Sequence, residues 1–352
     1  SCFPHLATQS DKICFLKGMV SDAVNHDPAI VFMNSGDQLP GRPCMGSWVN
    51  YGLGSTNADL PGFVVLVTKM PVDQPLSGRL WSNGFLPASY QGVPFRAGKE
   101  PVLYLTDPPG LPPSLRRSTM EAMHAVQTET GTLRHEPELQ GRIDQYELAF
   151  RMQMSVPDAV SLEDEAPATL ERYGPKVNTP GSFAANCVQA RRLCEKGVRF
   201  VQLYHPGWDH HGQLENQFKE NALNVDQPAA ALLQDLEERG MLKDTLVVFG
   251  TEFGRTCYAQ GNPGKESGFG REHHRNAFSF WLAGAGVKPG ISHGTTDDFG
   301  FDVVDGRVTV NDLHATLLHL LGIDHERFTY SFQGRQFRLT DVAGQLVTPI
   351  LA

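Results

Sequence analysis

The chain has 352 residues, 40% hydrophobic and 20% charged, an ordinary globular balance that excludes disorder as the default. Its formal charge of −9 works against the basic surface that non-specific nucleic-acid binding requires. No apolar run approaches the roughly 18 residues of a membrane-spanning helix.

α/β folds reach this length around one sheet, so one domain over residues 1–352 with an insertion is the reading taken, two domains being the alternative. The chain opens on Ser1 with no charged-then-apolar leader, which reads as processing or truncation. Cys2, Cys14, Cys44, Cys187, Cys194 and Cys257 show neither CxxC nor tight zinc-ligand spacing. Compartment is left open by them. Cys187 and Cys194 share one helical stripe, where free cysteines are commonly core residues rather than redox groups.

The first element of interest is VNHDPAIVFMNSGDQLPGRP, residues 24–43. Asp27 suits an N-cap, Pro28 the first helical position and Gly36 the stop, so a short helix over Ala29 to Met33 is expected. His26 would then lie at the positive end of that helix, where an anion is favoured. An ordinary capped helix beside a chance histidine is the plain alternative. Residues 71–110 are rich in Pro and Gly, and 114–154 turn helical and charged. About 71–175 therefore reads as an insertion or cap.

PGSFAANCVQARRLCEKG (180–197) carries Phe183, Cys187, Ala190 and Cys194 on one stripe and ends at Gly197, a helix. VRFVQLY follows as a buried strand, then HPGWDHHGQ. If the backbone stays extended past Gly207, Asp209 and His211 share one side and His210 takes the other. A carboxylate plus an imidazole suits a cation such as zinc; a solvated loop anchored by Trp208 is the alternative.

VDQPAAALLQDLEERG (225–240) predicts a helix, and TLVVFGTEFG a parallel strand covered on both faces. Glu252 at that strand's tip needs a metal or a basic partner, Arg255 being the bland choice. GREHH (270–274) offers His273 and His274, of which an extended chain aims one at a shared site. NAFSFWLAGAG (276–286) predicts another strand. VNDLHATLLHLLGID (310–324) predicts a helix capped by Asn311 or Asp312 and stopped by Gly322, with His314 near its start. The fold class is α/β, a mostly parallel sheet with helices on both faces, and nine histidines from His205 onward cluster after strands or at a helix start, where such sheets place ligands.

DQPAAALLQDLEERGMLKDTLVVFGTEFG resembles the stretch of alkaline-phosphatase-like hydrolases, sulfatases and phosphodiesterases, in which a helix leads to a strand ending Ser/Thr-Asp-His-Gly. DLHATLLHLLGID resembles a late sulfatase helix. With GWDHHG, GTEFGRT, GREHHRNAFSFWLAGAGVKPG, DLHATLLHLLGIDHERFTY and FQGRQFRLTDV, nearly the whole chain resembles a bacterial sulfatase-like family known as domain of unknown function number fifteen hundred and one.

The resemblance implies an alkaline-phosphatase-like fold and a metal-dependent hydrolase of phosphate or sulfate esters, on a small-molecule or glycan substrate. Divalent cations, zinc first with manganese or calcium as alternatives, would be held by Asp209, His211, Glu252, His273 or His274, and His314. His26 falls at the nucleophile position, because Pro28 and Gly36 keep the superfamily's interval. It would act as nucleophile or general acid, with Arg255 or Arg42 neutralising the anion and Asn25, Arg42 and Arg271 on the substrate side.

Three departures accompany it. Phe253 stands where the superfamily has a histidine; His26 replaces Cys or Thr; and the superfamily's first strand, with its acidic ligand, is expected upstream of Ser1, as is an export leader to the periplasm or beyond. Cys2-Phe3-Pro4 lacks the Arg that a sulfatase motif carries at Leu6. A binding protein that kept the fold and lost hydrolysis is the rival reading.

Overall fold

The computed structural model describes residues 2–70, 76–98, 101–102, 112–134, 137–261 and 268–352. Residues 71–75, 99–100, 103–111 and 135–136 of the expected insertion lie outside them; its helical part forms Pro113–Arg134 and Pro137–Val160.

Strand Ile13–Val20 is the spine of the larger sheet. It runs antiparallel to Phe278–Gly284, which runs antiparallel to Leu246–Phe249. Its other edge pairs in parallel with Ile291–His293 and, near its end, with Val308–Thr309. A smaller sheet joins Val93–Phe95, Phe63–Val67 and Phe200–Tyr204, all parallel.

The expectation of a mostly parallel sheet therefore holds for the smaller sheet, while the larger one is mixed. The reversal lies in Phe278–Gly284. A parallel return needs a long crossover, usually helical, whereas the described part of the link from Phe249 to Phe278 is made of two-stranded ribbons with no helix.

Period-2 alternation sends the larger sheet's side chains to two cores. Cys14, Leu16, Phe280 and Leu282 pack with Trp48 and Val49 of helix Met45–Leu53 and with Leu313 and Leu317 of helix Val310–Leu320. Ile13, Phe15, Trp281 and Ala283 face the opposite way, onto helices Phe183–Glu195 and Leu214–Glu238. Helices cover both faces.

Two helix boundaries and the burial of one strand depart from expectation. Leu214–Glu238 begins well before Val225 and passes through Pro228, because its first half has tertiary anchors: Asn221 donates to the Gly207 carbonyl and Asp226 accepts from the backbone N–H groups of His5 and Leu6. The last helix is capped by Thr309, in a reciprocal box with Asp312. Leu246–Phe249 is half-exposed rather than covered on both faces.

An ionic network pins the two helices of the second core together. Arg191, 1% exposed, reaches Glu165 and Glu195 at 2.6 Å and Asp235 at 3.0 Å, and Tyr173 donates to Asp235 at 2.9 Å. Removing one member of such a network strands the opposite charge in the interior. Arg191→Met is expected to lower unfolding free energy by about 3–5 kcal/mol in urea denaturation; a loss below about 1 kcal/mol would show the carboxylates to be solvated instead.

Candidate metal centre and its histidines

Three strand ends deliver the site. Both Ile13–Val20 and Leu246–Phe249 run antiparallel to the strand between them, so their C-terminal ends lie at one edge of the sheet. Ligand sites collect at such edges.

Past Val20 the chain turns into helix His26–Ser35, capped at Asn25 rather than at Asp27. His26 is thus the first helical residue. The helix closes at Gly36, whose φ of 71° puts it in the left-handed region. Past Tyr204, Gly207 turns the chain with φ of 93° and presents Asp209. Past Phe249, Glu252 and Phe253 lead into a ribbon in which Arg255 pairs with His273 and Gly254 with His274.

These loops lock by close backbone approach. A Cβ at Gly270 would lie 2.0 Å from the His211 carbonyl carbon, so glycine lets the segment before His273 seat on the Asp209 loop. Arg271 ties the two, its N–H donating to the His210 carbonyl and its guanidinium to Thr256 at 2.6 Å.

Asp209 is the hub. Its Oδ1 lies 2.9 Å from His211 Nε2 and 3.2 Å from His273 Nε2, and those two nitrogens are 3.1 Å apart. Its Oδ2 is 3.2 Å from His26 Nε2. Burial pushes the Asp209 carboxyl up, but the Arg255 guanidinium and the imidazoles of His273 and His26 around it outweigh that and hold it well below the usual carboxylate range.

Each imidazole has spent its other nitrogen elsewhere. His26 Nδ1 donates to Glu252 Oε1 at 2.6 Å, His273 Nδ1 to the Val24 carbonyl at 2.8 Å, and His211 Nδ1 to Gln260 Oε1 at 2.6 Å. The Glu252 carboxylate and the Val24 carbonyl can only accept, so in the neutral rings of His26 and His273 Nε2 carries a lone pair; Gln260 sets His211 the same way when its oxygen faces the ring. The Glu252 bond raises the His26 pKa against the opposing effect of burial. Glu252, pushed up by burial, is nonetheless held low by the same bond.

Beneath the rings lies Phe253, 3% exposed, its centroid 5.1 Å from His26 and 4.5 Å from His273. Arg255 extends over Phe253 and donates to Asp209 Oδ1 at 2.6 Å.

The structure does not bring every expected residue here. Glu252 meets the group through His26. His274 points away from His273, to the Phe301 carbonyl at 2.6 Å. His314, 1% exposed, bonds the Met33 carbonyl at 2.8 Å, and burial pushes its pKa down to about 4. Arg42 pairs with Asp37 beyond the far end of the His26 helix, which is about 15 Å long. Asn25 caps that helix by backbone position alone, and Arg271 is spent on Thr256. His210 is buried toward Asn221. Gln260 and the Val24 carbonyl, which set two tautomers, carry no signal in the sequence.

A divalent cation fits the donor set. Lone pairs of neutral imidazoles facing a carboxylate repel it unless a positive charge lies between them, and His26 Nε2 is buried with no hydrogen-bond partner. His26, Asp209 and His273 hold ligand atoms within 4.8 Å of one another. The spacings in the Asp209–His211–His273 triangle approach the about 3.3 Å expected between donors bonded to zinc at roughly 2.0–2.1 Å.

No protein of curated function matches the chain. Among solved structures, a crystal structure of Ps i-CgsB in complex with k-i-k-neocarrahexaose aligns at 11% identity and a TM-score of 0.39, covering 91% of this chain and 66% of that one. A phosphonate monoester hydrolase, SpPMH from Silicibacter pomeroyi, aligns at 12% identity and a TM-score of 0.42, covering 99% of this chain and 71% of its own. The family described as "Protein of unknown function (DUF1501)" matches residues 1–351, and the chain belongs to that family.

Proposed function

We propose that the protein is a metal-dependent hydrolase of phosphate or sulfate esters, built on an alkaline-phosphatase-like fold. The observation that carries this reading is the convergence of three fixed imidazole Nε2 atoms on the Asp209 carboxylate. Likeness of the Glu252 and His314 segments to sulfatases and phosphodiesterases supports the ester class.

Asp209, His211 and His273 would hold the cation. Two imidazoles and one carboxylate favour zinc over calcium, which prefers all-oxygen ligands. Bound there, the cation polarises a phosphoryl or sulfuryl oxygen and neutralises its charge.

His26 is the proton-handling group beside it. Glu252 fixes its Nδ1–H and so aims Nε2 at the reacting atoms. In hydrolysis a water oxygen bonds to phosphorus or sulfur while the ester P–O or S–O bond breaks. Protonated His26, favoured by its raised pKa, gives its Nε2 proton to the departing alkoxide, and water supplies the replacement proton. Phe253 keeps water from beneath both rings.

Two outcomes are expected. The wild type carries about one zinc per chain by mass spectrometry and turns over an aryl phosphate, diester or sulfate. Asp209→Asn loses the metal, while His26→Ala keeps it and loses about 10²–10⁴ in kcat. Stoichiometric zinc without turnover on any of the three esters would leave a binding protein.

The second concerns pH. In chelator-treated protein, Glu252 sits below its ordinary 4.5, so its pairing stabilises above about pH 4.5 and fails as pH falls through the lowered value. His26 sits above its ordinary 6.5, so its share is complete below about pH 6.5 and is lost as pH rises through the raised value. Glu252→Gln is expected to lower the His26 midpoint in an NMR titration and to remove this stability difference; an unmoved midpoint would break the pairing argument.

A further inference from the structure

One oxygen at the centre is claimed twice. Asp209 Oδ1 accepts from Arg255 Nη2 at 2.6 Å, yet it is the same oxygen that faces the Nε2 atoms of His211 and His273. A cation held by those two imidazoles needs Oδ1 as its carboxylate ligand. The guanidinium already there is a like charge beside the same atom, so each weakens the other's hold on that oxygen.

Arg255 has somewhere to go. Its remaining bonds are weaker contacts to carbonyls, 3.2 Å to Arg271 and 3.4 Å to Trp208. It lies over the Phe253 ring at 5.9 Å, a surface along which a planar cation keeps favourable contact as it shifts. A guanidinium released from Asp209 stays beside the centre with its paired N–H donors unspent, and that fork matches phosphoryl or sulfuryl oxygens.

We propose that Arg255 is a built-in competitor for the metal at Asp209 Oδ1, and that on displacement it becomes the group that binds the ester's anionic oxygens. Anion binding is thereby made conditional on metal binding. The inference rests on the metal-centre reading and goes beyond it by coupling the two sites in one thermodynamic cycle. By linkage, an anion that engages the freed arginine tightens the metal in the same proportion.

The test uses Arg255→Met and Arg255→Lys, each checked for folding by circular dichroism, with zinc affinity measured against a chromophoric chelator and inorganic phosphate binding measured by calorimetry. Arg255→Met is expected to bind zinc about tenfold or more tightly than the wild type, and its zinc form to bind phosphate about tenfold more weakly. Arg255→Lys keeps a charge beside Asp209 and should show zinc affinity near that of the wild type. If Arg255→Met fails to fold, Arg255→Gln replaces it with the same expectation.

In the wild type, phosphate should bind the zinc form and show little affinity for the chelated form. Zinc binding that is unchanged or weakened in Arg255→Met, with the wild type loading normally, would overturn the competition while leaving the metal centre intact. Zinc bound by neither protein would bring down the centre itself.

Discussion

Three imidazoles whose Nδ1 protons are already committed surround one carboxylate, and that arrangement needs a positive charge among its facing atoms. In the structure Arg255 supplies part of it, together with the proton that the Glu252 pairing keeps on His26 more readily than usual. Under the metal reading, an external cation would compete with these internal ones. Its acceptors fix the orientation: Glu252, Gln260 and the Val24 carbonyl each take one Nδ1–H, and no ring can turn without breaking that bond.

The fold serves this arrangement by distributing its members over independent strands. Val24 and His26 follow the spine strand, Asp209 and His211 follow the edge of the smaller sheet, and Glu252 leads from Leu246–Phe249 into the ribbon that carries Arg255 and His273. Displacement of any one loop would separate donors that are held about 3 Å apart. The rigidity comes from elsewhere. Helices Phe183–Glu195 and Leu214–Glu238 are pinned by the Arg191 network, and Asn221 reaches from the second helix to hold the Gly207 turn.

What was legible in the sequence was local. Asp209 and His211 do face one another while His210 turns to Asn221, but through tight turns and not the extended course assumed, since the backbone N–H groups of His210 and His211 bond the carbonyls of Trp208 and Asp209; in GREHH one imidazole alone faces the shared site. Helix Phe183–Glu195 and its Gly197 stop were readable from one stripe and one glycine. Long-range pairing was not readable. His26 and Glu252 stand 226 residues apart, and only packing shows that Glu252 meets the imidazole. His314 misled because its place at a helix start was compatible with a sheet-edge ligand; the rotation of that helix turns it into the core. The antiparallel course of Phe278–Gly284 had no mark in its own residues, since an apolar run reads the same in either direction.

Phe253 shows how a departure from a pattern can be constructive. As a substitute for an imidazole it offers no ligand, so it appears in the sequence as a loss. In the structure its ring underlies His26 and His273 and carries the Arg255 guanidinium over its face. An apolar floor lowers the local dielectric, which strengthens the attraction between Asp209 and whatever cation it holds and makes an unpaired carboxylate there more costly. A histidine at this position would bring a further lone pair or proton into a space that already has three imidazoles. With phenylalanine the number of donors is capped and the surface under Arg255 is kept free of competing hydrogen bonds. The same ring thus narrows what the centre can bind and keeps its arginine free to shift.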